Sequence, residues 1–364
     1  MKSIKLPIYV KAAFVLIAGY ALIYGLYLER NILAPLVFAT LIAVLLNPFV
    51  NFLYRNKFNK IVAISLAVLL IFVVTAGLVY IVFTQISMFA ENYPQLKIKA
   101  EALSQQSVIW ISERFSLKVE RINAWIKETE GTALNDIGPL LGRTLLSMTN
   151  AIMALFLMPV YLFMILYYKP LLQEFIHRLF SSGHRSAVII VLDHSKGIIQ
   201  SYLKGLCIEF LVVSVMNSAG LLILGIDYAI ILGIIGALLN VIPYIGGVIA
   251  VVLTMTVAFV TKDTISSPLM VLGLYIFVQF IDNHYITPKI VASRVKLNAL
   301  VSIVVVLIGS RIWGIPGMFL SIPLTAMLKV IFDNVEGLKP WGFLLGNIVP
   351  TEKKYLFVRP KKKP

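Results

Sequence analysis

Residues 229–260 read AIILGIIGALLNVIPYIGGVIAVVLTMTVAFV, an apolar stretch cut at Pro243-Tyr244-Ile245-Gly246-Gly247. The arm before the cut is about 12 residues, or about 18 Å of helix, against a hydrocarbon core about 30 Å thick. One unbroken helix over the whole stretch would be about 48 Å, too long without heavy tilt. The stretch is therefore predicted to be a helical hairpin that dips into a membrane and returns to the same side. Two short, tilted full spans are the other reading. Residues 299–332, ALVSIVVVLIGSRIWGIPGMFLSIPLTAMLKVIF, repeat the layout with a break at Gly314-Ile315-Pro316-Gly317.

The rest of the chain agrees with a membrane setting. Of 364 residues, 59% are hydrophobic and 13% charged, and the mean hydropathy is +0.91. A soluble domain is about 45–50% apolar and about 25% charged. A soluble enzyme, a disulfide scaffold and a disordered tail are excluded, and the single Cys207 forms no internal disulfide. The predicted fold is all-α and polytopic, with six transmembrane helices and two opposed broken hairpins, or alternatively eight spans.

The six spans fall at about 8–28, 32–52, 61–84, 146–168, 202–225 and 268–287. Lys2, Lys5 and Lys11 give the first run the start of a signal peptide. Its length, and the YLERN that follows, predict a retained helix instead. Pro159 predicts a kink in the fourth span. Segment 1–84 thus holds three spans, and 200–335 a core with both hairpins. Residues 85–145 carry seven basic and seven acidic residues, with Ile111, Phe115, Val119, Ile122 and Ile126 at helical spacing. They predict an extracytoplasmic amphipathic insertion, with Trp110 and Trp125 packed together, against a neighbouring subunit or at the interface. Residues 169–199, with Leu171, Leu172, Phe175, Ile176, Leu179 and Phe180 on one face, predict a cytoplasmic interfacial helix. Residues 336–364 form a basic cytoplasmic tail ending in Lys361-Lys362-Lys363, for which an anionic-lipid contact is one reading.

Charge orients this arrangement. With both termini inside, the cytoplasmic segments carry 22 basic and five acidic residues, and the outer segments nine and ten. Arg311, Glu209 and Asp282 remain within the membrane. The bias follows the positive-inside rule, so the net charge of +15 implies no nucleic-acid partner. In this topology span-plus-hairpin occurs twice with opposite orientation, the layout of secondary transporters whose broken helices frame a central site.

Ordered pieces of the last 160 residues carry a family resemblance. They are Tyr202-Leu203-Lys204-Gly205, Gly225 with Tyr228-Ala229, Ile242-Pro243-Tyr244-Ile245-Gly246, Gln279-Phe280-Ile281-Asp282-Asn283, Thr287-Pro288-Lys289-Ile290, Gly314-Ile315-Pro316-Gly317-Met318 and Ile322-Pro323-Leu324. Together they resemble the autoinducer-2 exporter family of bacterial permeases. The resemblance implies a multi-pass secondary transporter of the bacterial cytoplasmic membrane, a homo-oligomer, exporting autoinducer-2 in some members and exchanging sodium or lithium for protons in others. The chain departs from the family at Leu297-Asn298-Ala299-Leu300, where Leu-His-Pro-Leu is common, and at Gly246-Gly247, where Gly-Pro is common.

The residues that could carry chemistry are few. A carboxylate inside a span costs about 2.5–3.5 kcal/mol on insertion scales when central, so it marks a candidate site. Asp282 and Glu209 lie at matching depth, roughly 8–11 Å from the inner side, and are predicted to line one cavity and share a proton. Arg311 is a candidate to neutralise either of them or to face an anionic cargo. Gln279, Asn283, Asn217 and Asn240 add polar groups. Pro243, Gly246, Gly247, Gly314, Pro316 and Gly317 shape the hairpin breaks. A structural ion pair and interhelical hydrogen bonds are the plain alternatives. His177, His184 and His194 fit no metal-ligand spacing, and no phosphate loop or nucleophilic triad occurs. The predicted function is transport of a small polar solute or signal such as autoinducer-2, coupled to protons or sodium. No cofactor, metal or enzyme activity is predicted. The partners are the bilayer, the cargo and further copies of the chain. A sodium(lithium)/proton antiporter is the rival cargo reading, and a membrane scaffold docking through 85–145 the rival class.

Overall fold

The computed structural model describes residues 7–115, 156–180, 185–243, 246–262, 266–292 and 297–347. Outside these lie most of the second half of the predicted insertion with Trp125, the start of the fourth span, His184, Tyr244-Ile245 of the first break, and the basic tail from 348. Every described element is helical apart from one isolated antiparallel bridge, Leu297 to Gly346.

The elements follow the apolar runs. They are α1 (Ile8–Leu28), α2 (Arg30–Arg55), α3 (Lys60–Phe115), α4 (Phe156–Tyr167), α5 (Lys169–Leu179), α6 (Arg185–Ile223), α7 (Ala229–Asn240), α8 (Gly246–Thr261) and α9 (Ser266–Ile281). A π-type segment (Asp282–Ala292) continues α9, followed by α10 (Ala299–Trp313), α11 (Ile315–Asn334), a short 3₁₀ turn and α12 (Lys339–Leu345). Among the described residues, α2, α6, α11, the first part of α3 and α9 with its continuation are long and apolar enough to cross a membrane. The bent pair α4–α5 brings the number to six if taken as one span. The apolar part of α1, Ala13–Leu28, is shorter, as are α7, α8 and α10.

Two boundaries differ from expectation. Helix α3 runs 56 residues without interruption, passing from the predicted third span into the predicted insertion through Pro94. Likewise α6 joins the end of the predicted surface segment to the fifth span in one helix of 39 residues. The chain bends 65° between Tyr167 and Lys169, at the expected end of the fourth span, while α4 is helical from Phe156 through Pro159 and the turn that precedes it lies outside the described residues. At the bend Pro170 has no N–H to give the preceding turn, which ends the helix.

Both interrupted stretches fold as paired helices. In the second, Gly314 reverses the chain with a positive φ of 64°, open mainly to glycine. Helices α10 and α11 then cross so closely that a Cβ on Gly309 or Gly317 would overlap the other's carbonyl. Small residues permit this approach where apolar lipid offers no hydrophobic drive.

Buried clusters join the elements. Ala39, Ala43 and Leu46 of α2 pack with Ile64, Ala67, Leu162 and Leu166. Leu41 meets Tyr202, Leu203 and Leu320. Leu221, Leu232, Ala250 and Val271 tie the first hairpin between α6 and α9. Large apolar side chains elsewhere are exposed, including Tyr9, Leu16, Tyr20 and Ile223, which suits a surface solvated by lipid.

Candidate functional site

Helix α7 ends at Asn240, and the chain turns through Val241, Ile242 and Pro243 before α8. The Ile242 N–H still bonds the Leu239 carbonyl at 2.8 Å, and Gly246 N–H bonds Ile242 at 3.1 Å. A Cβ on Gly246 would overlap the Leu239 carbonyl, so glycine holds the tip closed. This tip borders a cavity of about 710 Å³. Its walls come from α6 (Tyr202, Leu206, Glu209), α8 (Gly247, Val248, Val251), α9 (Tyr275, Ile276, Gln279) and the π-type segment (Asp282, Asn283, Thr287). Leu297, with Ala299 and Ser302 of α10 and Ile322 of α11, lines it as well.

Asp282 is 2% exposed and Glu209 8%. Asn240 Nδ2 donates to Asp282 Oδ2 at 2.8 Å. The Thr287 hydroxyl lies 3.2 Å from Asp282 Oδ1 and 3.4 Å from Glu209 Oε1. A hydroxyl has one proton to donate, so it serves one carboxylate at a time, or accepts from one that is itself protonated. Thr287 therefore links two acidic groups from different helices. Gln279 Nε2 donates to Asn283 Oδ1 at 3.3 Å beside them.

Thr287 reaches this place because the helix widens. Five residues apart on an α-helix, two side chains point about 140° away from each other. In the π-type turns from Asp282 to Ala292 they fall on one side. Pro288 lies in this segment and gives no N–H, which interrupts the α-helical ladder. In sequence Thr287 stands out only within the Thr287-Pro288-Lys289-Ile290 piece of the family resemblance, and a period of 3.6 residues conceals its place beside Asp282.

Behind Asp282, a void of about 10 Å³ lies among Asn217, Asn240, Gln279, Tyr275 and Gly247. That is about the room one water needs. Asn217 is buried, and its Oδ1 has no partner among the described residues. Tyr275 Oη and Thr254 Oγ1 pair at 2.8 Å nearby.

The structure thus brings together Asp282, Glu209, Gln279, Asn283, Asn240, Pro243 and Gly247. Arg311 is not with them. It is exposed, lies outside the cavity lining, and sits nine residues beyond Ser302, about 13 Å along α10. It makes no ion pair with either carboxylate, so the expected neutralisation is absent. Gly314, Pro316 and Gly317 are also remote. The second hairpin presents its root to the cavity, and its break packs towards α1, where Trp313 Nε1 donates to the Leu26 carbonyl at 2.8 Å.

Comparison with known proteins gives this site a context. The AI-2E family transporter model matches residues 16–337. "Putative transport protein YueF" of Bacillus subtilis (strain 168) is 23% identical over 314 residues, 83% of each chain. "Putative transport protein YrrI" of the same organism is 25% identical over 320 residues, 83% of this chain and 86% of that one. "AI-2 transport protein TqsA" of Escherichia coli (strain K12) is 23% identical over 327 residues, 89% of this chain and 92% of its own. With nearly the whole helical region matched and several apolar helices of membrane-crossing length, this multi-pass membrane chain belongs to the AI-2E transporter family.

Proposed function

We propose that the protein is a secondary transporter that moves a small polar solute through the 710 Å³ cavity and couples that movement to protons held between Glu209 and Asp282. The carrying observation is the Thr287 hydroxyl within hydrogen-bonding reach of both carboxylates. Two negative charges so placed in a poorly solvated site repel each other, and one proton relieves the repulsion. Taking up or releasing it changes the cavity's charge, and so the affinity for a polar cargo. The volume lies in the range of small-molecule sites, about 300–1,000 Å³. Autoinducer-2, the cargo in the name of TqsA, is the first solute to try.

The same reading places the chain in a bacterial cytoplasmic membrane with both termini inside, supported by the uneven spread of Lys and Arg. The hairpins are opposed re-entrant elements, and the exposed α1 faces lipid or a further copy of the chain. No organic cofactor takes part. A second reading makes sodium or lithium the exchanged ion. It is supported by the oxygen-bearing side chains of Asn217, Asn240, Gln279 and Asp282 around the small void.

The test is solute accumulation in proteoliposomes under an imposed pH gradient. The proposal expects accumulation that a protonophore collapses and that Asp282→Asn abolishes. Accumulation equal in the variant, or indifferent to the protonophore, would refute proton coupling at this pair. Accumulation driven by a sodium gradient alone would favour the second reading.

A further inference from the structure

The elbow between α4 and α5 gathers three lysines from three parts of the chain. Lys60, at the start of α3, donates to the Tyr167 carbonyl at 3.0 Å and lies 4.8 Å from the centre of the Tyr167 ring. Lys169, just past the bend, donates to Oδ1 of the buried Asn47 on α2 at 2.7 Å. Lys196 of α6 lies one turn before Gln200, whose Nε2 donates to the Val44 carbonyl at 2.8 Å, three residues before Asn47 on α2, and both Lys196 and Lys60 repel the Lys169 ammonium. Burial first, and then these two charges, hold Lys169 below the usual lysine pKa.

No carboxylate among the described residues pairs with this charge. Among the described residues none of the three lysines forms an ion pair: Glu174 pairs with Arg178, and Asp193, one turn before Lys196, is exposed and bridges to none of them. Each ammonium has three donors. Lys60 and Lys169 each spend one on a protein oxygen, which fixes their position and leaves two apiece. The cluster is thus a partly preorganised cationic site, and preorganisation lowers the entropy lost on binding.

Its surroundings identify the anion. Helix α5 presents Leu171, Phe175 and Leu179, four residues apart on one face, and all are exposed. A basic cluster at the root of a helix that carries an exposed apolar ridge, at the end of membrane-spanning helices, matches a headgroup phosphate with acyl chains attached. A free phosphate would leave the ridge bare.

We propose that Lys60, Lys169 and Lys196 bind the phosphate of an anionic phospholipid whose acyl chains lie along the Leu171–Phe175–Leu179 face of α5. The lipid joins α2, α3, α5 and α6 at the elbow and steadies the 65° bend. The assignment is independent of the cargo and of the coupling ion.

The test uses the full-length protein in neutral detergent, with thermal unfolding followed after adding phosphatidylglycerol, phosphatidylcholine or inorganic phosphate. The expected result is a rise in unfolding temperature with phosphatidylglycerol that exceeds both others and shrinks with salt. In Lys169→Gln/Lys196→Gln this lipid-specific increment is lost, whatever the variant's starting stability, while Lys196→Arg keeps it. Native mass spectrometry gives a second readout, with retained phosphatidylglycerol falling severalfold in the double variant. Equal increments from the two lipids, or full retention in the double variant, would overturn the proposal. An increment from inorganic phosphate matching that from phosphatidylglycerol would make this a free-anion site and overturn the lipid assignment.

Discussion

Asn240 donates its amide to Asp282 across 2.8 Å, joining the end of the first hairpin's short arm to the first widened turn after α9. This bond crosses between the two repeats predicted from sequence. It leaves Asp282 sensitive to any movement of the hairpin tip. A hydrogen bond to a charged group is worth about 1.5–3 kcal/mol. Asn240→Ala is therefore expected to slow solute flux about tenfold or more while the protein remains folded, checked by initial transport rates at equal protein abundance.

Thr287→Val keeps the shape of the side chain and removes the bridging hydroxyl. The expected outcome is a loss of flux together with an altered pH profile, both restored by Thr287→Ser. Initial rates measured across pH 5–9 for the three proteins check this. A flux profile unchanged in Thr287→Val would contradict the bridging role.

Gly309 and Gly317 cross where neither has room for a Cβ. Gly309→Val forces α10 and α11 apart, and overpacking of this kind costs about 1–3 kcal/mol. Thermal unfolding in detergent should show a fall of several degrees. Gly77→Ala, where a Cβ meets nothing within 4 Å, serves as the control and should leave the midpoint nearly unchanged.

Asn298 caps α10 by accepting from the Val301 N–H at 2.8 Å, and its own amide donates to the carbonyls of Leu344 and Gly346 at 2.7 and 3.0 Å. One residue thus starts the second hairpin and fastens α12 to the cavity's edge. Asn298→Ala should destabilise by about 1 kcal/mol or more from the cap alone. Hydrogen exchange should rise in residues 339–346 before it rises elsewhere.

Lys169 has its pKa lowered by burial and by Lys196 and Lys60. At a given pH it therefore holds more neutral amine than an ordinary lysine. It is expected to react with an amine-labelling reagent at lower pH than a free lysine side chain does, with peptide mass spectrometry as the readout. The sign for stability follows from linkage. A folded-state pKa below the unfolded value contributes stability that is full above the unfolded pKa and is lost as pH falls through the folded one. Lys196→Gln removes one repelling charge and should raise the labelling pH of Lys169.

Much of this arrangement is legible in sequence because bilayer thickness disciplines helix length. The arms on either side of Pro243 and Gly314 are too short or too interrupted to be read as one span, and they fold as paired helices. Asp282 and Glu209 are marked by the cost of placing charge in a span, and counting residues at 1.5 Å gives both the same expected depth. Thr287 escaped because that counting assumes an α-helix, and the helix widens where it matters. Arg311 misled for a related reason: sequence fixes its distance from the break, but not which end of the second hairpin faces the cavity. The continuity of α3 and α6 was hidden by composition, since polar and apolar stretches of one helix look like separate elements.

The central claim is that Glu209 and Asp282 hold the coupling proton between them. The most direct measurement is proton movement in proteoliposomes carrying a pH-sensitive dye, with solute, sodium or lithium added to wild type, Asp282→Asn and Glu209→Gln. The account predicts a proton signal on adding a transported solute or ion, abolished in Asp282→Asn and strongly reduced in Glu209→Gln. Proton signals of wild-type size in both variants, with correct insertion shown, would contradict it.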